Sequence, residues 1–193
     1  LDSIPAAASA RLYVDSGSSD GSAERARQRG FAVVELDPAL AMSAARARNA
    51  GFEALGSAAS APDFVQFVDG DCELELGWLG AAAGYLAEHP DVAVVCGRRR
   101  ERFPDASVYN LLADMEWDAP PGDTDACGGD AMIRARSFRE VGGFDMRLIA
   151  GEEPELCQRI RRTGARIVRL DRAMTIHDAA LLRFGQWWRR QVR

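Results

Sequence analysis

The feature that most constrains this chain is an alternation through its first hundred residues: a short apolar run, a polar cluster, then a longer helix-forming stretch. Arg11-Leu12-Tyr13-Val14 reads as a short buried strand, closed by the turn formers Asp15-Ser16-Gly17-Ser18-Ser19-Asp20-Gly21. The pattern predicts a helix over 22–29, with Gly30 at the position glycine favours just past a helix end. A strand at 31–36 and an alanine-rich helix at 41–59, weakened by Gly51 and Gly56, come next. A third strand at 64–68 ends at Asp69-Gly70-Asp71, and a helix at 76–88 leads to a fourth strand at 92–95. Strands and helices alternating at this spacing imply βαβ units, a largely parallel sheet and helices on both faces. Ligands of such sheets bind beyond the carboxyl ends of the strands, where the clusters around Asp15 and Asp69 fall.

The pattern loosens after residue 100. Arg98-Arg99-Arg100-Glu101-Arg102 reads as a solvated strand end, and Ala119-Pro120-Pro121-Gly122-Asp123 as loop. Further on stand a strand at 131–133, a short helix at 136–140 and a turn at Gly142-Gly143. A helix at 154–163 has Pro154 in its first turn and Gly164 just past its end, and a strand at 165–170 follows it. With no repeat or linker, one domain is expected, and 193 residues can bury one good core. The first residue is Leu1, close to a strand, and the last lie within an arginine-rich amphipathic stretch, 181–193; both ends read as cut.

Composition excludes some function classes. The net charge is -5, which argues against a nucleic-acid partner; that arginine carries all the positive charge has no functional weight. Cys72, Cys96, Cys127 and Cys157 form no C-x-x-C pair, so a structural zinc site has no support and reduced, partly buried thiols are expected. No apolar run is long enough to span a bilayer and no signal peptide is visible, so the expected location is cytoplasmic.

Five constellations could carry chemistry. In an extended segment Asp69 and Asp71 project to one side and can converge on a hard cation, while Gly70 lets a phosphate approach; a polar turn capping the next helix fits as well. The run from Asp15 to Gly21, with Ser16, Gly17 and Asp20, suits a phosphate or nucleotide at a helix N-terminus, or simply caps that helix. Glu152, Glu153 and Glu155 open a helix, where the dipole alone favours them, or where one of them serves as a general base. His177, after an apolar run, is a candidate metal ligand or a hydrogen-bonded half-buried ring, whereas His89 is a helix-end cap. Gln186-Trp187-Trp188-Arg189-Arg190 can stack on sugars and pair with phosphates, or pack a helix and solvate its outer face.

Taken in order, these segments resemble the family-2 glycosyltransferases of the GT-A fold, over almost the whole chain. Val14 to Ser22 is similar to that family's first nucleotide-binding turn, and Arg48-Asn49-Ala50-Gly51 to its arginine–asparagine–x–glycine helix motif. Asp69-Gly70-Asp71 stands at the D-x-D, Gly151 to Leu156 at the acidic catalytic motif, and Gln186-Trp187-Trp188-Arg189 resembles the Q-x-x-R-W element of some members. The resemblance implies an α/β, Rossmann-like GT-A fold with a mostly parallel sheet flanked by helices. It implies a nucleoside-diphosphate-sugar donor, a glycan, lipid or small-molecule acceptor, and inverting transfer with Mg²⁺ or Mn²⁺ on the diphosphate.

Roles follow position by position. Asp15, Ser16, Gly17, Asp20, Arg48, Asp69 and Gly70 would bind the nucleotide. Asp71, Asp69 and His177 would hold the metal, and Glu153, or Glu152, would be the base. Gly128, Gly129 and Asp130 would lie near the sugar, and Trp187, Trp188 and Arg189 near the acceptor. The chain departs from the family in three places: Glu152-Glu153 stands where members often show Glu-Asp, Arg190 stands where the Q-x-x-R-W element ends in tryptophan, and the family's first strand ahead of Asp15 is missing. The first leaves the choice of base open and the second argues against a processive polymerase. A GT-A-like nucleotidyltransferase and a non-catalytic sugar-nucleotide-binding module are the competing readings, and peripheral contact of the arginine-rich end with a membrane is a further expectation.

Overall fold

The computed structural model describes residues 1–6, 8–56 and 62–192. Two sheets divide the chain. In the first, β1 (Leu12–Asp15) and β2 (Ala32–Glu35) pair in parallel across helix α1 (Ser22–Gln28). Helix α2 (Ala44–Gly56) follows, starting later than the residue pattern suggested because the Ser43 hydroxyl accepts the Arg46 amide at 3.2 Å and caps it. Residues 57–59, the end of the predicted helix, lie outside the described residues.

The second sheet has six strands: β3 (Phe64–Phe67), β4 (Cys72–Leu74), β5 (Val92–Glu101), β6 (Gly122–Asp123), β7 (Ala131–Arg134) and β8 (Arg166–His177). Its order is β3-β7-β5-β8-β4, with β6 on β8. Helices α3 (Trp78–Glu88), α4 (Val108–Glu116), α5 (Ala135–Glu140), α6 (Glu152–Arg162) and α7 (Phe184–Gln191) connect and cover it, and a 3₁₀ turn spans Pro104–Ala106. No helix among the described residues is long and apolar enough to cross a membrane.

The α/β expectation stands, but the largely parallel sheet does not. Only β1–β2 and β5–β8 are parallel, while β3–β7, β5–β7, β4–β8 and β6–β8 are antiparallel. A crossover helix makes neighbours parallel. Here β4 comes straight off the turn after β3, and β7 off the connection at 117–130, so neither is delivered by one.

The core lies almost wholly in the second sheet. Val92, Val94, Val95 and Cys96 of β5 are fully buried, and α3 lays Trp78, Ala82 and Leu86, one turn apart each, against them. Trp78 keeps its indole N–H satisfied by donating to Gln66 Oε1 at 2.8 Å. Phe52 of α2, Phe67 of β3 and Phe138 of α5 form an aromatic cluster, with ring centroids 4.4 and 5.4 Å apart, that ties α2 to the larger sheet.

Three elements were not foreseen: β4, β6 and α4. The charge run at 98–102 is also not a solvated end, since β5 continues through it alongside β8, pairing Arg99 with Thr175 and Glu101 with His177. The strand at 165–170 likewise extends to His177. All four cysteines are free and buried.

Candidate active site

The strand ends build the site. β5, β8 and β4 run side by side, and their register sets Glu101 beside His177 and His177 beside Cys72. Asp71 directly precedes Cys72, so its carboxylate meets the imidazole: His177 Nε2 lies 3.1 Å from Asp71 Oδ2. The hydrogen bond to His177 holds the Asp71 carboxyl below the usual carboxylate range. Asp71 is largely exposed and His177 largely buried, so the pair reaches the surface through the carboxylate.

Asp69 does not share that cluster. Residues 69–71 form a turn rather than an extended segment, so the two aspartates diverge. Asp69 Oδ1 accepts from Arg48 Nη2 at 2.5 Å and Oδ2 from Arg99 Nη2 at 3.2 Å. Its backbone N–H donates to Asp130 Oδ1 at 2.8 Å. Asp130 is fully buried, and its other oxygen accepts from Thr175 Oγ1 at 2.8 Å and meets Arg99 at 2.8 Å. It therefore sets the Asp69 turn from below and does not line the cleft. A Cβ on Gly129 would lie 2.4 Å from Asp69 Oδ2, so the glycine is what lets the two loops touch.

Arg48 joins the turn to helix α6. Its second nitrogen, Nη1, donates to Glu152 Oε1 at 2.7 Å, and its side chain is only 12% exposed. Desolvation works against the charged guanidinium, yet Asp69 and Glu152 together raise its pKa further.

The three glutamates of α6 have separate fates. Glu152 goes to Arg48, and Glu155 pairs with Arg159 at 2.6 Å one turn on. Glu153 turns inward: its Oε1 accepts the Cys127 amide at 2.6 Å and the Cys157 thiol at 2.9 Å. Gly151, at φ 78°, makes the left-handed step that starts the helix. Cys127 immediately precedes Gly128 and Gly129, so Glu153 is fixed to the loop that touches Asp69. Arg48 and Gly129 thus bring Asp69, Glu152 and Glu153 together, next to the Asp71–His177 pair.

The Asp15 turn is built by its own carboxylate. Asp15 Oδ2 accepts the Gly17 and Ser18 amides at 3.0 and 2.9 Å, and Asp20 Oδ1 accepts the Ser22 amide at 3.0 Å. Oδ1 of Asp15 is buried without a partner among the described residues. Gly51 of α2 makes room for β1, since a Cβ there would lie 3.0 Å from Val14.

On α7, Trp187 stacks with Tyr109 at 6.0 Å, while Trp188 is 52% exposed and Arg189 is exposed. The helix reaches the site through Arg190 and through Trp117, which no motif included. Arg190 lies over the Trp117 ring at 5.1 Å, Arg99 over the same ring at 5.5 Å, and the ring meets His177 edge-on at 5.0 Å. Arg99 and Glu101 carried a legible signal: two apart in a strand, they lie on one side.

Comparisons with known proteins bear on the family and the fold. The profile described as "Glycosyl transferase family 2" matches residues 12–142. The chain is 34% identical over 145 residues to the "Pre-mycofactocin glycosyltransferase" of Mycobacterium tuberculosis (strain CDC 1551 / Oshkosh), which covers 69% of this chain. It spans 30% of the length of that relative. Among solved structures, the fold is similar to S. aureus TarS 1-349 in complex with UDP-GlcNAc, with a TM-score of 0.64 at 17% identity over 86% of this chain and 48% of that one. It is also similar to the mannosyltransferase PcManGT from Pyrobaculum calidifontis in complex with GDP-Man and Mn²⁺, with a TM-score of 0.63 at 19% identity over 87% and 47% of the two chains. With its α/β sheet flanked by helices and a family profile matched over most of its length, this chain belongs to the family-2 glycosyltransferases and has the GT-A fold.

Proposed function

We propose that the described residues act as one catalytic unit, moving a sugar from a nucleoside-diphosphate donor to an acceptor hydroxyl with inversion at the anomeric carbon. The observation that carries this reading is the shared network: Arg48 ties Asp69 to Glu152, and Asp71, two residues on from Asp69, meets His177.

The donor set fits a divalent cation. A carboxylate oxygen suits Mg²⁺ or Mn²⁺, an added imidazole nitrogen favours Mn²⁺ of the two, and the neighbouring Cys72 stays a thiol because burial pushes its pKa far up. Asp71 and His177 would hold the ion, whose chemistry is to neutralise charge on the departing diphosphate. A complex of the similar PcManGT contains Mn²⁺, which supports this assignment.

The chain's own groups account for the rest. Asp69 and Arg48 orient the nucleotide side of the cleft, and Gly129 keeps the sugar loop against Asp69. Asp15 reads the base. Its bare, buried Oδ1 is an acceptor and would take an N–H, such as the ring N–H that uracil and guanine carry. The donors of the similar structures, UDP-GlcNAc and GDP-Man, carry those two bases.

Glu153 is the base. One oxygen is fixed by Cys127 and Cys157, which leaves Oε2 to take the acceptor hydroxyl proton as that oxygen attacks the anomeric carbon opposite the diphosphate. Trp188 and Arg189, exposed on α7, are the proposed acceptor contacts, and the next residue, Arg190, lies over the Trp117 ring that meets His177. The test is a panel of UDP- and GDP-sugars with and without Mn²⁺. Mn²⁺-dependent release of UDP or GDP and a product of inverted anomeric configuration by NMR support the reading; pyrophosphate release from a nucleoside triphosphate overturns it.

A further inference from the structure

The cleft's imidazole has a second neighbour that this chemistry does not use. Glu101 closes β5 and is only 5% exposed, and its Oε2 lies 3.8 Å from His177 Nδ1. That nitrogen is buried and has no hydrogen-bond partner among the described residues, although Nε2 on the opposite side of the ring meets Asp71. We infer that Glu101 is the positioning residue for His177: it accepts a hydrogen bond from Nδ1–H, which leaves the Nε2 lone pair to ligate the proposed cation once that ion lies between Nε2 and Asp71.

The carboxylate cannot turn away from this task. Its Oε1 accepts the Phe103 amide at 3.0 Å and Asn110 Nδ2 at 3.3 Å, and its Oε2 accepts the Ala179 amide at 3.0 Å. An ionised carboxylate has about four acceptor positions, so these three leave one. The neighbour available to it is the imidazole. A bare Nδ1 lone pair facing the anion would repel it, whereas an N–H would bond to it, and a shift of about 1 Å closes the contact to hydrogen-bond length. The Trp117 ring stands edge-on to the imidazole at 5.0 Å and limits its rotation. A histidine whose far nitrogen donates to a carboxylate is a better metal ligand, because its orientation is fixed and its basicity raised.

Glu101 also clasps the segment after β8. Asn110 Oδ1 accepts the Leu181 amide at 2.9 Å, and Ser107 Oγ donates to the Leu181 carbonyl at 2.5 Å. A Glu101 variant could therefore act through the clasp alone. Ser107→Ala loosens that clasp without touching Glu101 and serves as the control.

This inference rests on the metal-assisted reading, and the experiment separates the two. Mn²⁺ alone is titrated into the unaltered chain and three variants, following the EPR signal of the free ion. His177→Ala is expected to bind far more weakly, Glu101→Gln about 10–100-fold more weakly, and Ser107→Ala within about twofold of the unaltered chain. If His177→Ala binds Mn²⁺ as the unaltered chain does, the metal reading fails. If His177→Ala weakens binding but Glu101→Gln does not, or Ser107→Ala loses as much as Glu101→Gln, the role of Glu101 alone is overturned. Should Glu101→Gln not fold, ¹H–¹⁵N spectra of the Mg²⁺-saturated unaltered chain decide. A downfield, exchange-protected Nδ1–H on His177 is expected, and a freely exchanging one contradicts the inference.

Discussion

The two sheets bury very different amounts of themselves. The first six residues of β5 are all buried, and β7 and β8 add Ile133, Ile167, Val168 and Met174 to the same core. In β1 only Asp15 is buried, and in β2 the outer residues are exposed and the inner two half-buried. The larger sheet fixes Asp71, His177 and the Arg48 network on a rigid base, while the proposed base-reading turn stands on a thin parallel pair held chiefly by α2. Among the described residues β1 pairs only with β2, and β3 only with β7. On the proposed reading this is a division of labour: the ion and diphosphate would meet a preorganised wall, and the nucleobase the more adaptable one.

The sharpest way to break this contrast is to alter groups fixed by the larger sheet and its helices. Glu153→Gln is expected to lower transfer by about 10²–10⁴-fold while donor binding, followed by calorimetry, stays near normal. Normal turnover would remove Glu153 from the base role. Arg48→Ala strips Glu152 of its partner and leaves Asp69 with Arg99 alone, so a loss of about 3 kcal/mol is expected in urea unfolding, together with loss of nucleotide binding.

Packing substitutions measure the contrast directly. Ile133→Ala in β7, a residue 2% exposed, is expected to cost about 2–5 kcal/mol. Val33→Ala in half-buried β2 is expected to cost under about 1.5 kcal/mol, and equal losses would erase the distinction. Amide exchange should agree, with β1 and β2 exchanging ahead of β5 and β8. Gly129→Ala, whose methyl pushes on Asp69, is expected to cost about 1–3 kcal/mol, read as weaker nucleotide binding in an otherwise folded chain.

The residues that were legible in advance are those whose pattern is local. Apolar runs such as Phe64 to Phe67 and Val92 to Val95 can hardly be anything but buried strands, and the clusters at Asp15 and Asp69 fall at strand ends as a βαβ reading requires. Arg99 and Glu101 were misread because charges in a strand beside a cleft look like charges on a solvated face; what distinguishes them is Asp130 and His177, far away in sequence. Helix α4 was missed because its pattern is inverted. Val108, Leu111, Leu112 and Met115 make an exposed apolar stripe, while Asn110 is among its buried residues. The Asp69-Gly70-Asp71 spacing suggested a shared ligand pair, but the turn sent Asp69 to two arginines that periodicity could not foresee. Only three-dimensional packing could separate the three glutamates of α6.

The most direct test of a cleft in which Asp71 and His177 hold a cation against a diphosphate is thermal unfolding with UDP or GDP, with and without Mn²⁺. At about 100 times Kd, a bound nucleotide stabilises by about 2.7 kcal/mol. The expected result is a large rise in Tm that needs nucleotide and Mn²⁺ together and vanishes in Asp71→Asn. A rise of the same size without metal, or one retained by Asp71→Asn, would contradict it.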